Sequence, residues 1–231
     1  MPKIFSPGAV VGTIHNPQAL AAALKLRKNA VDFLEVRVDA FAGAEGRALD
    51  ALEKSLPRLQ SPLIVTVRHP LEGGSGSLTL AQRRALFTRF LPHAHLVDVE
   101  LRSAGPLGGI IGAAQSKGIG VILSHHDFHK TPSLARLVTL RRQAARAGGD
   151  VFKVAAVTQT ARDLSTLLDF LTRRHSPAAP ELAVMGMGDF GKISRVVLGK
   201  AGSVLNYGYL DSPQVPGQWP VALLKERLRE C

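Results

Sequence analysis

Asp150-Val151-Phe152-Lys153-Val154-Ala155-Ala156-Val157 reads as a strand buried on both faces, because strand formers and small apolar residues fill every position but two. Strands buried on both faces belong to parallel sheets, which need helical crossovers between neighbours. Lys153 stands where such a strand would hold Val or Ile. Lysine is rarely buried without a partner or a use. Two readings follow: a stem lying along the sheet with its ammonium at water or on a carboxylate, or an amine that attacks a carbonyl to form a Schiff base.

Working outward, short apolar runs of the same kind alternate with amphipathic stretches along the whole chain. Strands are expected at Ala9 to Ile14, Asp32 to Val38, Leu63 to Arg68, Leu96 to Leu101, Gly120 to His125, Asp150 to Val157, Leu182 to Met187 and Ser203 to Tyr209. Helices are expected at Pro17 to Lys28, Ala48 to Leu59, Leu80 to Leu91, Pro106 to Lys117, Ser133 to Ala147, Ala161 to Arg174, Lys192 to Gly199 and Pro220 to Arg229, with Asn16-Pro17 and Thr131-Pro132 as the clearest helix starts. Across 231 residues this is about 29 per strand-helix pair, close to the ~30 of a compact βαβ repeat. Repeated eight times, that unit predicts a closed (β/α)8 barrel, the TIM-barrel form of the α/β class. An open doubly wound sheet would usually carry a nucleotide fingerprint after its first strand, and Gly12-Thr13-Ile14-His15-Asn16 is not one. With no linker or low-complexity segment, residues 1–231 read as one domain.

Hydrophobic residues make up 45% and aromatics 5%, so the core is packed chiefly by Val, Leu, Ile and Ala. No apolar run has the length of a membrane span or a signal peptide, and the single cysteine is the final residue, Cys231. A cytoplasmic protein is expected, with no membrane partner. The net charge of +11 is spread over helical stretches such as Ala81 to Phe90 and Leu137 to Arg146, without a dense basic tail or interleaved aromatics. It reads as solvated helix faces and steering of a small anionic substrate, not as a nucleic-acid surface.

Side-chain parity makes the charged strand residues informative. Glu35, Arg37 and Asp39 share one face, as do Thr66 with Arg68 and Asp98 with Glu100; Val36, Val38, Val65, Val67, Val97 and Val99 take the other. Polar groups against the apolar helix layer would be costly, so the ionisable sets are expected to face the barrel interior, either neutralising one another or serving a site at its mouth. The fifth strand leads into Ser124-His125-His126-Asp127-Phe128-His129, with His126 on the face of Ser124 and His125 on the opposite one. A metal reading of these histidines lacks further ligands, because the first strand offers only His15 where a His-x-His pair is needed; a proton-shuttling histidine needs no metal. Arg68 to Ser77 ends in a Gly-Ser loop that could let Glu72 swing in to orient a histidine. The Gly-rich turn from Met185 to Arg195 opens a helix whose amides suit an anion, and Asp211 to Pro220 is placed to act as a lid.

Together these segments, from about Val10 to Gln218, resemble type I 3-dehydroquinate dehydratase, the Schiff-base class of dehydroquinase in the shikimate pathway. Asp98-Val99-Glu100-Leu101, nineteen residues, then Val121 to Asp127 is similar to the family signature around its catalytic histidine. Glu35 to Asp39, Thr66 to Gly74, Phe152-Lys153-Val154-Ala155, Met185-x-Met187 with Arg195 eight later, and Pro216-Gly217-Gln218 match its other motifs in order and spacing. The resemblance implies that Lys153 forms the Schiff base, that His126 is the general acid-base and that Glu72 positions it. It implies that Glu35, Arg37, Arg68, Arg195 and Gln218 hold the substrate's hydroxyls and carboxylate, that Thr13 falls near a first-strand contact, and that no cofactor or metal is used. Gln214 stands where relatives commonly have serine, and joins the substrate contacts; Tyr207 stands where many have phenylalanine. Both departures bear on lid closure. A homodimer is compatible with the sequence.

The chemistry asks for such groups. An iminium is a better electron sink than a ketone, but the attacking amine must be neutral, which means moving a lysine from ~10.4 to roughly 7–8, about 3–5 kcal/mol against the charged form. Desolvation among Val151, Ala155 and the methionines, with Arg37 or Arg68 near, is expected to supply it. The alternatives are another lysine-imine barrel, a phosphosugar aldolase favoured by the Gly-rich turn, and a barrel that only binds an anion.

Overall fold

The strands form because each expected run alternates or fills with β-branched residues and ends where glycine, proline or a polar cluster breaks it. In the computed structural model, which describes residues 6–43, 46–173, 176 and 178–230, they are β1 (Ala9–Ile14), β2 (Phe33–Arg37), β3 (Leu63–Thr66), β4 (Leu96–Glu100), β5 (Gly120–Asp127), β6 (Val151–Val157), β7 (Glu181–Met187) and β8 (Leu205–Tyr209). All pair in parallel in the order β7-β6-β5-β4-β3-β2-β1-β8. The two ends of that order meet: Val204 N–H donates to Leu182 O (2.9 Å) and Val184 N–H to the Ser203 hydroxyl (3.0 Å), closing the ring. Helices α1 (Pro17–Ala23), α2 (Arg47–Ser55), α3 (Leu80–Phe90), α4 (Gly108–Ser116), α5 (Leu134–Arg146), α6 (Ala161–Thr172), α7 (Gly191–Lys200) and α8 (Val221–Glu230) alternate with the strands. The architecture is the expected (β/α)8 barrel. The expected helix end at Arg174, the stretch from Met1 to Phe5 and Cys231 lie outside the described residues.

Two apolar clusters follow from strand parity. One fills the space between sheet and helices, with Val10, Val36, Val65, Val97, Leu123, Val154 and Val184 on the sheet side and Phe87, Phe90, Leu137 and Phe170 among the helix side chains. The other plugs the bottom of the barrel with Val11, Phe33, Ile64, Leu96, Ile122 and Val151. Two residues further along each of those strands the interior turns polar: Thr13, Glu35, Thr66, Asp98, Ser124 and Lys153, all buried. The pleat carries an apolar plug into an ionisable layer in a single step, and the layer above it opens at the C-terminal face, where barrels of this kind place their sites.

Three expectations change. α1 ends at Ala23 and not Lys28, although Asn16 caps it as read, its Oδ1 accepting from Ala19 N–H at 2.6 Å. α5 starts after Ser133, whose hydroxyl accepts from Arg136 N–H; Thr131 is engaged elsewhere, its hydroxyl donating to Val157 O at 2.7 Å. The basic residues of α3 and α5 are not all solvated, because Arg83 and Arg141 are buried. Arg83 reaches under its helix to Val67 O, Ser103 and Glu100, and Arg141 donates to Pro180 O.

Candidate active site

The polar layer is first an ion network. Asp98, wholly buried, accepts from Arg68 Nη1 and Nη2 (3.0 and 2.9 Å), from the Ser124 hydroxyl (2.6 Å) and from Lys153 Nζ (2.8 Å). Glu100 takes Arg68 Nη1 (3.2 Å), Arg83 Nη2 (2.5 Å) and the His69 N–H (2.8 Å). Glu35 accepts from Thr66 at 2.9 Å and lies 3.5 Å from Arg68 and 3.7 Å from Lys153. Burial alone would push the Asp98 carboxyl up, but Arg68 and then Lys153 hold it well below the usual carboxylate range. The same balance, with burial opposing and Asp98 and Glu100 prevailing, drives Arg68 well above its ordinary value.

Asp98, like Glu100 and His125, is a residue to which sequence reasoning gave no specific role. Parity placed it inward, but nothing in a strand's pattern says which cation it meets. The lysine's setting differs accordingly from the expected one of apolar neighbours and arginines: a carboxylate stands at Nζ, and the face of the Tyr207 ring lies 4.0 Å away on another side.

Above this network lies a cavity of about 160 Å³, room for one small ring-sized ligand. Its wall includes every expected site residue: Thr13, Glu35, Arg37, Arg68, Glu72, His126, Lys153, Arg195, Gln214 and Gln218. Gly73, Phe128, Ala155, Met185, Met187, Tyr207 and Val215 complete the lining.

His126 and Glu72 form a pair. Glu72 Oε2 lies 3.0 Å from His126 Nδ1 and accepts the His126 backbone N–H at 3.0 Å. That leaves the other ring nitrogen for the cavity. Desolvation, then Arg68 and Lys153, push the imidazole well below 6.5, and desolvation pushes the Glu72 carboxyl up to about 7. Phe128 stacks on His126 at 6.4 Å between centroids. Glu72 already stands at the histidine. It ends a tight 3-10 turn, Pro70–Glu72, closed by left-handed Gly73, and a Cβ on Gly74 would collide with Arg68 O. These glycines are demanded by close approach, not mobility. His125 lines a second cleft with Leu101, Arg136 and Leu140, which His126 and Glu72 also border, and His129 is exposed.

The opposite wall is built by the turn after β7 and the loop after β8. Gly191 and Gly217 pack so closely that a Cβ on either would meet the other's backbone at 2.7 or 2.5 Å. Gly188 N–H donates to Pro216 O, Phe190 N–H to Thr158 O and Gly191 N–H to Gly188 O. Three amides of the Gly-rich turn are therefore taken by backbone carbonyls, while those of Lys192 and Ile193 in the first turn of α7 have no acceptor among the described residues and are the ones left for an anion. Arg195 points its cation at the cavity. It is 1% exposed and donates to Gly217 O (3.1 Å) and Tyr207 O (2.8 Å). No carboxylate among the described residues pairs with it, and desolvation lowers it to about 10. Gln218 Oε1 accepts Gln214 N–H at 2.6 Å, and Gln214 Oε1 reaches Arg37 at 3.4 Å. Arg37 itself is clamped by Asp39 through two bonds of 3.0 and 2.8 Å.

A cavity that joins a lysine, a histidine–carboxylate pair and an uncompensated arginine has the equipment to bind a small carboxylic acid and run imine chemistry on it. Comparison with known proteins bears on the same point. The sequence pattern of the family described as Type I 3-dehydroquinase matches residues 9–230. A 3-dehydroquinate dehydratase of Methanocella arvoryzae is 32% identical over 223 residues, 96% of this chain and 96% of that one. A catabolic 3-dehydroquinate dehydratase of Acinetobacter baylyi is 30% identical over 219 residues, 92% of this chain and 80% of that one. Among solved structures, the type I 3-dehydroquinate dehydratase of Clostridium difficile with covalently modified comenic acid superposes with a TM-score of 0.84 at 26% identity, covering 96% of this chain and 91% of that one. The match spans all eight strands and both walls of the cavity, and the chain belongs to the type I 3-dehydroquinase family.

Proposed function

We propose that the chain removes water from 3-dehydroquinate to give 3-dehydroshikimate, a hydro-lyase step of the shikimate pathway of aromatic amino acid biosynthesis, through a Schiff base on Lys153. The observation that carries this is the convergence of Lys153, the His126–Glu72 pair and the acid-free Arg195 on one small cavity. In this reading the Lys153 amine, having passed its proton to His126, attacks the ketone, and the carbonyl oxygen departs as water. Neutral His126 then takes the proton beside the iminium carbon and returns it to the hydroxyl one carbon further, which leaves as a second water. Hydrolysis of the imine frees product and lysine.

Glu72 is the positioning residue. Ionised, it holds the Nδ1–H tautomer of His126 so that the opposite nitrogen presents its lone pair. Arg195 takes the substrate carboxylate with its planar fork, Gln218 and Gln214 close over it, and Glu35, Arg37, Arg68 and Thr13 meet the hydroxyls. Residues 1–231 act as one barrel domain that needs no cofactor. No described helix is long and apolar enough to cross a membrane; cytoplasmic residence and assembly as a homodimer belong to the same proposal, the latter read by sedimentation. The test is direct: 3-dehydroquinate should yield the ultraviolet absorption of a conjugated enone, and borohydride added during turnover should fix a mass adduct on Lys153. An adduct elsewhere, or turnover untouched in Lys153→Ala, would contradict the assignment.

A further inference from the structure

The layer that holds Lys153 also holds Tyr207, which the reaction as described does not use. Tyr207 projects inward from β8, two residues beyond Leu205 of the apolar plug, and is buried. Lys153 Nζ lies across the face of its ring, 4.0 Å from the centroid. Its carbonyl is committed to Arg195 Nη1. Its hydroxyl is committed to nothing: the oxygen is buried and has no hydrogen-bond partner among the described residues. A phenol left unpaired inside a protein is unfavourable where a phenylalanine would not be, so the group makes sense if a partner arrives in another state of the molecule. It can only act as a neutral hydroxyl, since burial and then Glu35 and Asp98 hold it well above its ordinary value. The cavity that it helps to line is also the place where Lys153 must leave its present partners in order to react.

We propose that Tyr207 is a further substrate-contacting residue: when Lys153 attacks the bound ketone, the Tyr207 hydroxyl donates a hydrogen bond to the former carbonyl oxygen in the carbinolamine. In that step the Nζ–C bond forms as the carbonyl π pair moves to oxygen. The oxygen takes one proton from the attacking nitrogen and one from protonated His126, and the C–O bond breaks with its electron pair leaving on water. The nitrogen lone pair makes the iminium, and His126 is left neutral, ready for the next step. Tyr207 lends a hydrogen bond and keeps its own proton. The ring face carries the charge of Nζ before and after, as ammonium and as iminium.

The inference rests on Lys153 as the imine-forming residue. Its test is the rate at which borohydride traps the adduct in Tyr207→Phe, which keeps the ring and deletes only the hydroxyl. Trapping should slow about three- to tenfold, the scale of one neutral hydrogen bond, while the melting temperature of the free protein stays level or rises because the hydroxyl had no partner there. Equal trapping rates in variant and parent, with the adduct on Lys153 in both, would overturn the tyrosine's role alone. A melting temperature lowered by several degrees would also overturn it, by showing that the hydroxyl already has a structural partner. No adduct on Lys153 in the parent would overturn this inference together with the lysine assignment.

Discussion

Two arginines lie buried against the same cavity in opposite electrostatic company. Arg68, on the β2–β4 side, donates to Asp98, Glu100 and Ser124 and lies near Glu35. Arg195, on the β7–β8 side, has two backbone carbonyls and no acid among the described residues. Carboxylates drive the first well above its ordinary value, and desolvation lowers the second to about 10. The difference teaches that one half of the site is a finished ion network whose charges hold each other and the lysine in register. The other half keeps a desolvated positive charge in reserve. Only the second gains its partner when an anion arrives.

If that division is right, the two arginines should fail in different ways. Arg68→Met takes one cation from three buried carboxylates, leaving Asp98 and Glu35 to Lys153 and Glu100 to Arg83, and losing one partner of a buried ionic cluster costs about 3–5 kcal/mol. The expected outcome is a large drop in denaturant midpoint, or no soluble folded protein. A variant as stable as the parent would break the comparison at its root. Arg195→Leu should do the reverse, leaving the melting temperature near the parent's because it deletes an unpaired buried cation. A hydrogen bond to a charged group is worth about 1.5–3 kcal/mol, so kcat/KM should fall about ten- to a hundredfold. Unfolding of Arg195→Leu with normal catalysis by the folded fraction would put its charge in the framework.

A subtler test concerns Glu72, a carboxylate near Arg68 with which it forms no bond. Its carboxyl is pushed up to about 7 in the folded chain, from an ordinary 4.5, so between those limits the native state holds a proton that the unfolded state has released. Stability from this group therefore falls as pH rises through that window. His126, pushed well below 6.5, works the other way: the unfolded chain takes up the proton first, and stability falls as pH drops below about 6.5. Glu72→Gln removes the first effect and keeps the second, so its stability relative to the parent should improve from pH 5 to pH 7.5. Chemical denaturation at the two pH values measures this, and an unchanged difference would mean that the carboxyl is ordinary. In the parent, kcat/KM should decline as pH falls through about 7, when protonated Glu72 no longer holds the histidine tautomer.

The barrel was legible in the sequence because its cause is local. Strand formers at a spacing near 29 residues, and parity that put Glu35 and Asp98 toward the barrel interior, are properties of neighbouring residues. The site was legible chiefly through its motifs. What stayed hidden was pairing between distant segments. Asp98 meets Lys153 and Arg68 because β3, β4, β5 and β6 are adjacent in the ring, and no periodicity within one strand encodes such a partner. Arg83 looked like a solvated helix residue because its stretch is rich in charge, yet it turns under α3 to reach Glu100. The glycines at 73 and 74 looked like flexibility, Gly191 like part of an anion loop and Gly217 like part of a lid. They are places where close approach or a left-handed turn leaves no room for a side chain, a fact that sequence spacing alone does not carry.

The smallest expected effect lies at the mouth, on the Arg195 side, at Gln214, where the resemblance led to the expectation of serine. Its Nε2 is buried without a partner among the described residues, and its Oε1 touches Arg37 only at 3.4 Å. The bond that matters for the loop, Gln214 N–H to Gln218 Oε1 at 2.6 Å, comes from the backbone and survives any side chain except proline. In Gln214→Ser, relief of an unsatisfied amide, worth about 1–3 kcal/mol, is set against about 0.8 kcal/mol for each buried methylene lost. Stability should move by no more than about 1 kcal/mol. KM should change less than about fivefold with kcat nearly constant, because the loop still closes through its backbone and the arginine beneath it is untouched. A collapse of kcat in this variant would mean that the Gln214 amide finds its missing acceptor on the reacting substrate, and the reserve of positive charge at Arg195 would then share its work with the residue above it.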